Sequence, residues 1–100
     1  MQLFNMTKYQ QTFQDMLDYN SDLFSAFTKV HELYLEDAKK YQAQFNELGQ
    51  DILEVIRKYE NMLCNTSEGG KYGKFSSQLS DKFWAVIRAK FPKIDFIGLQ

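Results

Sequence analysis

The chain is constrained most by a run of apolar residues that step alternately four and three positions. From Tyr9 the stripe passes Phe13, Met16, Asn20, Leu23, Phe27, Val30 and Tyr34, and only Asn20 is polar. A second run follows at Ala38, Tyr41, Phe45, Leu48, Ile52, Val55, Tyr59 and Met62. Such steps keep one face of a 3.6-residue helix apolar, whereas a strand would alternate every second residue. Leu17, Phe24, Leu53, Ile56 and Leu63 flank the stripe and widen it beyond a strict two-stranded, coiled-coil-like seam. A stripe that wide suits a bundle. The fold class is therefore all-α.

Three places offer helix boundaries. Thr7 with Gln10 three residues on makes a capping box, in which each side chain bonds the other's backbone N–H. Asn20-Ser21-Asp22 is a second start, because all three residue types favour the N-cap. Asp37 is a third, where the stripe slips phase between Tyr34 and Ala38. From there a helix is expected to run to about Cys64, passing through Gly49 because the phase holds across it. An unbroken helix from Ser21 to Leu63 would be about 64 Å long, more than 100 residues could cover. The alternatives are a hairpin bent near 35–38 and an extended helix pair that oligomerises, and we favour the hairpin.

One helical domain spanning 1–100 is expected, with a glycine-rich loop over about 65–75 and an irregular tail over about 91–100. Asn65 or Gly69 would stop the long helix in the left-handed conformation. Ser76 or Ser77 would cap a last helix carrying Leu79, Phe83, Val86 and Ile87 on one side. Pro92 biases its predecessor away from helix, so that helix ends near Lys90. In the tail, Ile94, Phe96 and Leu99 could pack as an extended segment or short strand.

The loop "EGGKYGK" invites a nucleotide-binding reading, and its spacing refuses it. A phosphate loop needs Ser or Thr after Gly-Lys, and a glycine five residues before. Here Phe75 follows Lys74, and Glu68 stands five residues before Gly73. His31 is the only histidine and sits on the flank of the stripe, so it reads as a hydrogen-bonded structural residue. Thr28 stands three residues before it, where a di-iron bundle would place Glu. Cys64 has no partner cysteine, and its one potential base, His31, lies 33 residues away. Carboxylates such as Asp15/Asp18 and Glu47/Asp51/Glu54 lie off the stripe and read as a solvated face. No catalytic, cofactor-binding or metal-binding residue is assigned, and the chain is not expected to be an enzyme.

Charge is divided unevenly. Residues 1–70 hold 6 Lys/Arg against 11 Asp/Glu, or −5, and residues 71–100 hold 6 against 2, or +4. The basic end mixes cations with aromatics, and Lys71, Tyr72, Lys74, Lys82, Trp84 and Arg88 form the candidate surface for a partner or an anion. Docking of the basic helix on the acidic ones is the plain reading. The expected function is a non-catalytic interaction or assembly module that self-associates or binds a protein partner. The alternative is a peripheral binder of an anionic membrane or lipid granule. Nucleic-acid binding through the same residues comes third. Without a leader-like N-terminal segment, a membrane-length apolar run or paired cysteines, the expected location is cytoplasmic. No cofactor or small-molecule substrate is expected.

Overall fold

The computed structural model describes residues 6–68 and 73–100, with backbone alone over 66–68 and 73–77. Its order is α1 (Lys8–Tyr19), α2 (Ser21–Glu36), α3 (Ala38–Glu68), α4 (Gly73–Lys90) and a 3₁₀ turn, η1 (Ile94–Phe96). The result is an all-α bundle.

The boundaries follow local chemistry. At the start of α1, the Gln10 N–H donates to Thr7 Oγ1 at 3.2 Å and the Thr7 N–H to Gln10 Oε1 at 3.0 Å. Asn20 ends α1 and precedes α2, and its side chain works backward. Its Nδ2 donates to the Met16 carbonyl at 3.0 Å, filling an acceptor that the helix end leaves open. Asp37 separates α2 from α3. Its N–H closes α2 on the Leu33 carbonyl at 3.0 Å, and its Oδ1 accepts from the Lys40 N–H at 3.2 Å. The chain therefore breaks at both central candidates, and α2 and α3 form the hairpin.

That arrangement removes the covering problem. α2 packs on α3, and α1 and α4 pack on α3 and on each other. The core draws on every element: Met16 from α1; Phe24, Phe27 and Tyr34 from α2; Phe45, Ile52, Ile56 and Leu63 from α3; Phe83 and Ile87 from α4; Phe91 and Ile94 from the tail. Most of the long stripe is covered within one chain, so the argument for oligomerisation from an uncovered helix no longer holds.

Four local expectations change. Both ends of the expected 65–75 loop are helical, because α3 passes through Asn65 to Glu68 and α4 is already helical at Gly73; Gly69 lies outside the described residues. Ser76 and Ser77 consequently lie within α4 and do not cap it. The tail forms η1 and turns, and no strand occurs among the described residues. His31 is 4% exposed and belongs to the core.

Gly49 explains how the tail reaches α3. A Cβ there would stand 2.6 to 2.8 Å from three side-chain carbons of Ile97. The missing side chain is the notch into which Ile97 fits. Gly98 follows with φ +97°, a left-handed conformation natural to glycine.

Candidate functional site

Of the sequence-predicted surface residues, the structure brings Trp84 and Arg88 together and places Lys82 beside Tyr9. Lys71 and Tyr72 fall outside the described residues, and Lys74 lies in the first turn of α4 with only its backbone described. Lys82 is exposed, with its ammonium 6.0 Å from the centre of the Tyr9 ring. Trp84 is half-buried, and its indole N–H donates to Glu60 Oε2 at 3.1 Å. The Ser80 hydroxyl donates to the same carboxylate oxygen, so one α3 acid holds two turns of α4. Arg88 stacks over Trp84, 5.3 Å from the ring centroid, and forms a two-pronged pair with Asp95 at 2.8 and 3.2 Å. The pair shifts both groups. The hydrogen bond to Arg88 holds the Asp95 carboxyl below its usual range, and the bond to Asp95 raises Arg88 further. Inserting Trp84 and Arg88 into a lipid headgroup layer would first break these contacts.

A different region gathers side chains more tightly. His31, Phe27, Phe45 and Phe91 form an aromatic cage between α2, α3 and the tail. The His31 ring centre lies 6.0 Å from Phe27, 6.0 Å from Phe45 and 5.5 Å from Phe91. Tyr34 stacks on Phe45 at 4.0 Å and 9°. His31 Nε2 accepts the Lys93 backbone N–H at 3.2 Å, which places the neutral ring's hydrogen on Nδ1. Burial is the main cause lowering its proton affinity; Glu32 opposes the shift and Lys93 reinforces it.

Beside the cage, a polar relay fastens the tail. The Tyr34 hydroxyl donates to Gln42 Oε1 at 2.7 Å, and Gln42 Nε2 donates to Asn46 Oδ1 and the Phe96 carbonyl. Asn46 Nδ2 donates to the Leu99 carbonyl at 2.8 Å while its Oδ1 accepts the Gly98 N–H at 2.7 Å. Sequence reasoning passed over Gln42 and Asn46. Their i, i+4 spacing was the available signal, but it reads as an ordinary solvated face until something is known to lie on it.

Cys64 is half-buried, and burial first, then the Glu60 charge, pushes its thiol up and favours the protonated form. It lies 19 residues, about 29 Å, along α3 from Phe45, whose ring touches His31. Among the described residues no group of three or more His, Cys, Asp or Glu could hold a metal ion. Likewise, no helix among them is long and apolar enough to cross a membrane.

No family model, curated protein or solved structure matches the chain.

Proposed function

We propose that the protein is a non-catalytic helical interaction module, and that the end of the molecule at the α2–α3 turn docks on a second copy of the chain. The observation carrying this reading is that four exposed large apolar side chains lie toward this end, while Met6, Tyr19 and Met62 are exposed elsewhere. Leu33 and Leu35 are 36% and 53% exposed in the last turn of α2, and Phe96 and Leu99 are 40% and 49% exposed in the tail. The bonds from Gln42 and Asn46 hold Phe96 and Leu99 at the same end of the hairpin. Exposed apolar side chains rimmed by charge are characteristic of protein contact surfaces, and here Leu33 and Leu35 flank the buried Tyr34 at the end of α2.

The rim favours a like partner. Glu32, Glu36 and Asp37 stand close in sequence to Lys39 and Lys40 around the turn, so this end carries both signs and can be complementary to a second copy of itself. Interfaces smaller than about 1,000 Å² are generally weak, so a concentration-dependent dimer is the expected form. Sedimentation equilibrium through the micromolar range tests this. The expected result is a rising average mass that Leu35→Glu and Phe96→Glu return to that of a monomer. A monomer at every concentration, or an association indifferent to both changes, refutes the reading.

A further inference from the structure

The tail is a separate piece of backbone laid over the hairpin, and a titratable side chain holds it at the middle. Phe91 and Ile94 are buried beneath it, Ile97 fits the Gly49 notch, and Gln42 and Asn46 bind its far end. Between these fastenings, the bond at Lys93 depends on a lone pair of His31. We propose that His31 is an acid-sensitive latch, which holds residues 91–99 against the α2–α3 hairpin and releases them when its ring takes up a proton at Nε2.

The geometry gives protonation an immediate consequence. The imidazolium has no acceptor left at Nε2, so an N–H would face the Lys93 N–H across 3.2 Å. The new charge would also sit within the cage of Phe27, Phe45 and Phe91, away from water. Lys93 on the tail adds repulsion, while Glu32 on the same helix as His31 partly offsets it. α3 meets the ring with Phe45, and the junction of α4 and tail meets it with Phe91, so neither supplies a counter-charge. The remaining tail acid, Asp95, is paired with Arg88.

Linkage fixes the sign. Closed, the ring binds protons less readily than at its ordinary value of 6.5. Opening returns it to water, so the open form gains protons first as pH falls. The opening constant is therefore flat above 6.5 and rises by up to tenfold per pH unit below it. It levels off once the closed form is protonated too. This inference stands on the cage and the Lys93 bond and does not rest on dimerisation.

Hydrogen exchange of the whole ¹⁵N-labelled chain between about pH 7.5 and about pH 4.5, corrected for intrinsic rates, tests it, with the His31 ring followed by NMR in the same samples. Protection of the Lys93 and Gly98 amides is expected to fall by up to tenfold per pH unit over the span in which the ring titrates. The Ile52 and Ile56 amides of α3 should hold theirs. His31→Gln, whose side-chain oxygen can accept the same N–H, should close the tail without that pH dependence. Tail protection that stays flat while the ring titrates overturns the proposal. So does a ring that titrates only as the whole chain unfolds, or a His31→Gln chain with the wild-type pH dependence. The wild-type measurement decides the matter by itself if the variant does not fold.

Discussion

The two ends of the core are built from the same helical stripe but by different means. Around Tyr34, Phe45 and Phe91 the contacts are ring on ring, and the chain is closed by side chains bonding tail backbone. Around Ile56, Leu63, Phe83 and Ile87 the contacts are largely aliphatic and close helix on helix, with Glu60 holding Ser80 and Trp84 at the margin. The difference follows from what each end must cover. Helices satisfy their own backbone, so burying α4 on α3 asks only for matching apolar faces. The tail satisfies part of its backbone internally, through the amides of Ile94, Phe96, Ile97 and Leu99, while the Lys93 and Gly98 N–H groups and the Leu99 carbonyl find outside partners. Gln42, Asn46 and His31 provide them. The aromatic end thus joins segments far apart in sequence through side-chain bonds to tail backbone. The aliphatic end supplies burial between neighbouring helices.

The sharpest way to break the comparison is to remove a ring at the aromatic end. Phe45 is fully buried and meets Phe27, His31 and Tyr34. Phe45→Ala should cost about 3–5 kcal/mol in urea unfolding, combining lost burial with the cavity left behind. Ile56→Ala, at a fully buried aliphatic site, should cost about 2–5 kcal/mol without loosening the tail. If both variants lose tail protection equally, the two ends are one cooperative unit and the distinction fails.

Gly49 allows a subtler test, because local and tertiary preferences oppose each other there. In an isolated helix, Gly→Ala gains about 1 kcal/mol. Here the new Cβ meets Ile97, a β-branched side chain with little rotamer freedom. Gly49→Ala should therefore destabilise by about 1–3 kcal/mol, as overpacking does. In an Ile97→Ala background the same change should become stabilising. A double-mutant cycle that shows no change of sign would mean that the tail does not press on α3 at this point.

These tests also show where the sequence was legible. Helix existence, the Thr7 capping box, continuity through Gly49 and the stop near Lys90 were readable because each rests on local chemistry; Asn20 and Asp37 were readable as candidate boundaries, but whether the chain breaks at either was not. The exact buried face was less so. The stripe marked Leu23 and Val30, yet Phe24 and His31 are the buried neighbours; it marked Met62, which is 49% exposed, while Leu63 is 1% exposed. A straight helix drifts about 20° per heptad against a 3.5-residue repeat, so a four-three pattern walks off the true core face over a long helix. The glycine loop misled in the other direction. Gly73 and the serines after it look like breakers and caps, yet all three lie within α4. The candidate surface was assembled from charge and aromatic content alone. Nothing in those totals reveals that Glu60 would hold Trp84 or that Asp95 would hold Arg88. The tail's site was least legible of all, because Gln42, Asn46 and Gly49 gain their meaning only from residues about fifty positions later.

The smallest effect lies at the ion pair that joins α4 to η1. Arg88 extends from α4 over Trp84 and grips Asp95 in η1. Both side chains are about half exposed, at 50% and 54%, so solvent screens the pair and Asp95→Asn should cost under about 1 kcal/mol. Its pH signature separates it from His31. Asp95 is held below the ordinary 3.8, chiefly by its hydrogen bond to Arg88. Its stabilisation is thus fully present above that value and is lost as pH falls through the lower folded value. The latch acts instead below 6.5, where Asp95 remains ionised. Comparing acid unfolding of wild type and Asp95→Asn should show the curves parallel above pH 5 and converging only in stronger acid. Curves that already converge between pH 6.5 and 5 would place the acid sensitivity of the tail on Asp95 and not on the aromatic cage.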